Sequence, residues 1–319
     1  MRILITGSAG FIGFHLHKHL HNYFDVTGCD NLSSVCKFTQ KLRLQEIKKN
    51  RLKFIRVDLN NAKNLSKKFN NKKFDFIIHL AAQPGVRISQ IQPVKTINNN
   101  LVSFINLFEY AIKNKVRNIF YASSSSVYGN TENFSENLSH PNPVSVYGVS
   151  KVANEYLAKT YNFLNKINSI GLRFFTVYGP LGREDMSYYK FLNSIKNSKK
   201  IEIYGDKTSK RSFTYIDDIV ISIHKLINVY KKKKSYLEIL NIGNSESRSL
   251  EDLVKIIKNI VGVKFREKYV ERNKADVYKT SSNNFKLNKI IKFKPKISLE
   301  KGMYLFSNWY KNKVSDKIF

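Results

Sequence analysis

The chain of 319 residues has only two cysteines, Cys29 and Cys36, too few and too close for a disulfide framework. A reduced, cytoplasmic setting fits them best. No apolar run reaches the roughly 18 residues of a membrane-spanning helix. The N-terminus, Met1 to Gly7, lacks a signal-peptide layout and reads directly into a strand. Pro/Gly/Ser linkers, internal repeats and low-complexity tails are also missing, so the chain is expected to form one rigid unit of two lobes with a cleft between them. Acidic residues are scarce as well: 24 Asp and Glu stand against 55 Lys and Arg, a formal net charge of +31. Such a charge raises nucleic-acid or membrane-surface binding as an option. No zinc spacing or nucleic-acid signature accompanies it, however, and basic residues occur in every segment. The reading is lysine scattered over solvated faces, with the longest run, Lys231 to Lys234, a helix end or connector. Neither nucleic acid nor membrane is expected as a partner. Small anions are still attracted, weakly and in a salt-dependent way.

What is present is an alternation of short apolar runs with helical patterns. Arg2–Ile5, Asp25–Asp30, Leu52–Asp58, Phe74–Leu80, Val116–Ser123 and Ser169–Phe174 read as strands. The fourth is almost continuously apolar, as a strand buried on both faces should be. Phe14–Tyr23, Asn98–Lys115 and Val146–Leu164 read as helices, and the second carries apolar residues on more than one side. Alternating strands and helices predict an α/β fold with a Rossmann-type, doubly wound parallel sheet. After Phe175 the rhythm changes to a smaller, mixed α/β lobe. The expected division is a Rossmann domain over 1–175, to which 213–238 returns, and a lobe over 176–212 and 239–319. Asp217 is expected to cap a helix over Ile219–Tyr230.

Gly7, Gly10 and Gly13 follow the first strand with the spacing G-x-x-G-x-x-G and open a helix. Glycines there let a pyrophosphate approach the helix N-terminus, where free amides and the macrodipole favour negative charge. Asp30 ends the next strand, in register to accept ribose hydroxyls and repel a 2′-phosphate, so NAD is the expected cofactor. Asp58, after the third strand, meets the adenine edge or caps a helix. Tyr147 and Lys151 stand four apart on a helix and share one face. An ammonium beside a phenol favours the phenolate, which makes a base usable near neutral pH. Ser123 to Ser126 form a hydroxyl row at the preceding strand end. His15, His17, His19 and His21 alternate sides of the first helix and cannot converge, so no metal site is expected. Tyr128 and Tyr178 either line the cleft or pack with satisfied hydroxyls.

Further runs are His79-Leu-Ala-Ala-Gln-Pro-Gly-Val-Arg87, Tyr121-Ala-Ser-Ser-Ser-Ser-Val-Tyr-Gly129, Leu172-Arg-Phe-Phe-Thr-Val-Tyr-Gly-Pro180 and Phe213-Thr-Tyr-Ile-Asp-Asp218. With the glycine loop and Tyr147-x-x-x-Lys151-x-x-Asn154-Glu155, the chain resembles the extended short-chain dehydrogenase/reductases. Within them it is similar to the nucleotide-sugar epimerase/dehydratase branch, and there to UDP-glucuronate 4-epimerases. The resemblance is dense to about residue 220 and loose beyond. It implies that Tyr147 is the base on the sugar C4 hydroxyl, that Lys151 lowers its pKa and holds the nicotinamide ribose, and that Ser124 is the catalytic hydroxyl. It implies NAD contacts from Gly7, Gly10, Phe11, Ile12, Gly13, Asp30, Asn31, Asp58 and Leu59, and further along from Leu80, Ala81, Ala82, Asn100, Tyr147 and Lys151. The family mechanism passes a hydride from C4 to NAD, rotates the 4-keto sugar, and returns the hydride to the other face.

Sister reactions are separated by the two positions after Ser124. Related dehydratases carry an Asp-Glu pair there, and glucuronate decarboxylases a Glu before Val-Tyr-Gly. Here both positions are hydroxyls, Ser125 and Ser126, and Thr176 stands where a UDP-glucose 4-epimerase usually has Asn. The implied reaction is NAD-dependent C4 epimerisation of UDP-glucuronate to UDP-galacturonate by a homodimer that pairs through Asn98–Lys115 and Val146–Leu164. Alternatives are 4-epimerisation of another UDP-hexose, 4,6-dehydration, or a non-catalytic NAD-binding scaffold. Arg87 and Arg183 are the expected partners of a carboxylate or diphosphate. The resemblance also puts Lys190, Phe191, Tyr204, Arg211 and Arg272 at the UDP end. Two departures from the family pattern bear on that end: Ser212 replaces the usual Asp, and the turn Glu271–Asp276 is one residue longer.

Overall fold

A computed structural model of the protein describes residues 1–70, 72–138, 140–205 and 208–315. The last residues of the expected lobe, 316–319, lie outside that set. Twelve strands are found among the described residues. They are β1 (Arg2–Thr6), β2 (Asp25–Asp30), β3 (Lys53–Arg56), β4 (Phe76–His79), β5 (Asn118–Ser124), β6 (Asn168–Phe174), β7 (Thr176–Tyr178), β8 (Ile201–Tyr204), β9 (Lys210–Tyr215), β10 (Leu237–Ile242), β11 (Ser247–Ser249) and β12 (Glu267–Val270).

Seven of these form one parallel sheet in the order β10-β6-β5-β4-β1-β2-β3. The order reverses between β1 and β4, which opens a crevice at the carboxyl edge of the strands. β4 and β6 are buried along their whole length, as strands covered on both faces must be. One large core joins this sheet to the helices Phe11–Leu20 and Ile216–Tyr230 and to the C-terminal lobe. A second lies under the helix Ser103–Lys113 on the other face. The lobe adds a small mixed sheet, β11-β9-β7, and a parallel pair, β12 and β8.

Three expectations change. The return to the main sheet runs from Ile216 to Ile242 rather than over 213–238, because β9 up to Tyr215 pairs within the smaller sheet and β10 pairs along β6. The segment Asn98–Lys115 is not one regular helix: a π-helical turn, Asn98–Val102, leads into Ser103–Lys113. Asp217 is not a cap either. The helix begins at Ile216, Asp217 lies in its first turn, and Asp218 accepts the amides of Lys296 and Ile297, both at 3.0 Å.

Candidate active site

The crevice at the carboxyl edge is a cleft of about 620 Å³. Its floor is the glycine loop. Gly7 has φ +70°, and a β-carbon there would come within 2.6 Å of the Ala81 amide nitrogen. Gly10 is the N-cap of the helix Phe11–Leu20 and leaves that cap without a side-chain hydrogen bond. The orphan amides of the first turn are therefore open to an anion. Asp30 ends β2 on the cleft wall, where its carboxylate accepts the amides of Ala9 (3.1 Å) and Leu32 (2.8 Å). Burial raises its pKa and these two bonds oppose the shift. A pyrophosphate cradle beside a ribose-facing carboxylate fits a dinucleotide such as NAD.

Phe11, Ile12, Gly13, Asn31, Asp58, Leu59, Leu80, Ala81 and Ala82 line the same cleft. Asp58 turns back onto the Asn60 amide (3.0 Å), and Asn61 is the residue that caps the next helix. Asn100 is a correction: it is buried and not on the cleft wall. Its side chain accepts the Gln83 amide (2.7 Å) and donates to Ser150 Oγ (2.9 Å), so it braces the cleft from behind. It stands in the π-helical turn.

The catalytic candidates converge on the opposite wall. Ser124 ends β5, and its Oγ accepts the Ser126 amide (3.1 Å) and lies 3.1 Å from Ser126 Oγ. The helix Val146–Asn165 is started by Ser145, which accepts the Gly148 amide, and it presents Tyr147 in its first turn. The Ser124 hydroxyl faces the Tyr147 phenol closely enough to lower its pKa. Lys151 donates to the Ala122 carbonyl at 3.0 Å and stands 5.7 Å from the Tyr147 ring centre. The expected electrostatics need correcting. Burial raises the Tyr147 pKa, and what opposes it is the Ser124 hydroxyl and the charge of Arg183, not Lys151. Burial also draws the Lys151 ammonium down to about 8, against the pull of Glu155.

Arg183 is held by both oxygens of Asp185, at 2.9 and 2.6 Å, and this pairing raises its pKa. Arg87 donates to Asp276 at 2.6 Å and lies over the Tyr204 ring at 3.7 Å. Ser125, Ser126, Thr176, Lys190, Phe191 and Arg211 also line the cleft. Arg211 donates to the carbonyls of Val277 (2.6 Å) and Tyr278 (2.9 Å). Arg272 lines only a smaller adjoining pocket of about 160 Å³, where its guanidinium stacks 3.6 Å from the Tyr278 ring centre and donates to Ser209 (2.7 Å).

Several residues here were not assigned to the site from the sequence. Buried Arg43 donates to Ala9 (2.7 Å) and Leu181 (2.6 Å), pinning the glycine loop to the loop before the lobe. Asp185, Asp276, Cys36 and Glu202 line the cleft. Glu155 and Arg173 form a buried pair behind Ser124. The histidines diverge as expected: His15 bonds the Pro180 carbonyl, His17 is buried, and His19 meets His224 at 2.9 Å. Among the described residues no group of three or more metal-ligating side chains occurs. Tyr128 and Tyr178 are packed, with their hydroxyls on Asn241 and on the Ser298 carbonyl.

The model of the NAD dependent epimerase/dehydratase family matches residues 3–243. The chain belongs to that family. A UDP-glucuronate 4-epimerase of Thermodesulfobacterium geofontis is 36% identical over 98% of this chain and 96% of its own. The protein CapI of Staphylococcus aureus is 38% identical over 97% of this chain and 98% of its own. Among solved structures, a UDP-glucuronic acid 4-epimerase of Bacillus cereus in complex with UDP-glucuronic acid and NAD superposes with a TM-score of 0.90. It is 32% identical, over 98% of this chain and 99% of that one. The chain's glycine loop, its hydroxyl row and Tyr147 with Lys151 all line the cleft just described.

Proposed function

We propose that this family member is a UDP-sugar 4-epimerase that interconverts UDP-glucuronate and UDP-galacturonate. The observation that carries the proposal is the hydroxyl row Ser124-Ser125-Ser126 lining the cleft with Tyr147. NAD, when bound, supplies the acceptor and later the donor of the C4 hydrogen. Tyr147 takes the C4 hydroxyl proton and gives it back, and Ser124 holds the C4 oxygen. Lys151, anchored on Ala122, keeps a positive charge beside them. Ser125, Ser126 and Thr176 offer hydroxyls to a C5 carboxylate, with no carboxylic acid among them to carry a proton for dehydration or decarboxylation. Arg87, Arg211, Lys190 and Tyr204 are the proposed contacts to the UDP end. Arg272 is proposed to reach that end only through the adjoining pocket.

The sequence likeness to UDP-glucuronate 4-epimerases supports the choice of sugar. A panel of UDP-sugars tests it. Turnover of UDP-glucuronate above UDP-glucose and UDP-N-acetylglucosamine is expected, and the reverse order would move the assignment to another UDP-hexose.

We also infer a homodimer. The helix Val146–Asn165 exposes Val149, Tyr156 and Phe163 at seven-residue spacing, and Val102 and Ile105 are exposed on the neighbouring Asn98–Lys113 segment. Apolar side chains in line on packed helices suit burial against a second copy. Two buried, unpaired cysteines and the NAD requirement support a cytoplasmic setting. A uronate donor made there would serve polysaccharide synthesis.

A further inference from the structure

The parallel sheet sorts the chain's charge in a way that composition does not reveal. All seven strands run the same way, so every connector entering a strand lies on one edge, and every connector leaving a strand lies on the cleft edge. The entering connectors carry Arg51 before β3, Lys72 and Lys73 before β4, and Lys115 and Arg117 before β5. They continue with Lys166 before β6 and Lys231 to Lys234 before β10. All ten are exposed, and Asp75 is the single acidic residue among them. The connectors leaving these seven strands, up to the next α-helix or strand, carry no Lys or Arg, and four acidic residues: Asp58, Glu132, Glu136 and Glu246.

Lysine scattered by composition alone would load both edges alike, and it does not. The helix macrodipole accounts for lysines in last helical turns, such as Lys48, Lys49, Lys67, Lys68 and Lys113, which add to the same edge. It does not account for Lys72, Lys73 or Lys232 to Lys234, which lie beyond the helix ends. Seven strands at about 4.8 Å spacing make this pole roughly 30 Å wide. Neighbouring connectors thus lie within the Debye length of about 8 Å, and their fields add.

We propose that this basic pole is a docking surface for an anionic phospholipid bilayer, with the cleft turned away toward the water. Eight of the ten connector cations are lysines, point charges that suit a diffuse headgroup layer rather than bidentate reading of single phosphates. The pole is the row of loop tips at the end of a sheet, with a single exposed aromatic in its connectors. That aromatic, Tyr23, stands in the connector entering β2, an amphipathic ring of the kind that settles at a membrane interface. A nucleic-acid surface would call for stacking aromatics interleaved with arginines.

Co-sedimentation of the full-length protein with phosphatidylcholine vesicles, with and without phosphatidylglycerol, tests the proposal. Binding is expected only with phosphatidylglycerol, falling as salt rises. Replacing Lys231, Lys232, Lys233 and Lys234 by Gln should weaken it at least about tenfold, since each lysine near an anionic surface contributes about fivefold. Epimerase activity in solution should be unchanged. A control with the same loss of charge in the smaller lobe (Lys196, Lys199, Lys200 and Lys264 each to Gln) should bind like the native protein. No binding to the anionic vesicles would overturn the proposal. So would equal loss in both variants, which would reduce the effect to net charge, and so would tighter, more salt-resistant binding to an oligonucleotide than to the vesicles.

Discussion

Glu155→Gln probes the assembly of the site more sharply than any change to a cleft residue. The Glu155 carboxylate accepts Ser123 Oγ at 2.6 Å and Arg173 at 2.9 and 2.8 Å. Ser123 precedes Ser124, the proposed catalytic hydroxyl, on β5, Glu155 lies one turn after Lys151, and Arg173 is on β6, two residues before the Phe175–Thr176 wall. One carboxylate therefore joins the three elements that carry the reacting groups. Both partners are almost wholly buried, at 2% and 6% side-chain exposure. Removing one partner of such a pair leaves a buried uncompensated charge and costs about 3–5 kcal/mol. For a chain of this size that loss lowers the melting temperature by roughly 5–7 °C.

A second effect separates positioning from mere structure. Glu155 raises the Lys151 pKa against burial, so its neutralisation lowers that pKa further. The alkaline loss of activity, which follows deprotonation of Lys151, should then begin at a lower pH than in the native enzyme. Replacing Glu155 by Gln together with Arg173 by Met should recover most of the stability, because no charge is left stranded. Thermal melts and pH–rate profiles of the three proteins are the assay. A single variant as stable as the native enzyme, or an alkaline limb that stays put or moves up, would refute the reasoning.

Two further predictions concern the whole molecule. His17 and His79 are buried and neutral, with pKa values pushed down to about 4 and about 3 by burial. The unfolded chain binds their protons from about pH 6.5 downward and the folded one does not, so stability falls as pH drops below that value. Between pH 6.5 and 5.5 the loss should be about 1 kcal/mol for each histidine. Denaturant melts at the two pH values check it, and a flat response would contradict it. Light scattering should give twice the chain mass, and Tyr156→Glu with Phe163→Glu should give the monomer; a native monomer would remove the inferred dimer.

Local signals made much of this molecule legible in its sequence. The glycine spacing, the apolar run of β4 and the four-residue offset of Tyr147 and Lys151 are each set within one element, where periodicity and backbone freedom decide the outcome. The residues that the family resemblance singles out line the cleft, apart from Asn100 and Arg272. Asn100 is buried behind the wall, on Gln83 and Ser150, in a π-helical turn that no periodicity announces. Arg43, Asp276 and Arg173 escaped because their partners are distant in sequence: Arg43 reaches Leu181, Arg87 reaches Asp276, and Arg173 reaches Glu155. A lone arginine in a lysine-rich helix carries no mark of what it will touch. The charge asymmetry was hidden for a related reason, since only the parallel topology gathers the strand-entering connectors onto one edge.

The central claim is that Tyr147 works beside hydroxyls rather than carboxylates, so the sugar keeps its acid group and inverts at C4. Incubating the enzyme with UDP-glucuronate and resolving the products by proton NMR tests this most directly. The account predicts UDP-galacturonate in equilibrium with its precursor, and no product with Tyr147→Phe. UDP-xylose or a persistent 4-keto sugar as the sole product would contradict it.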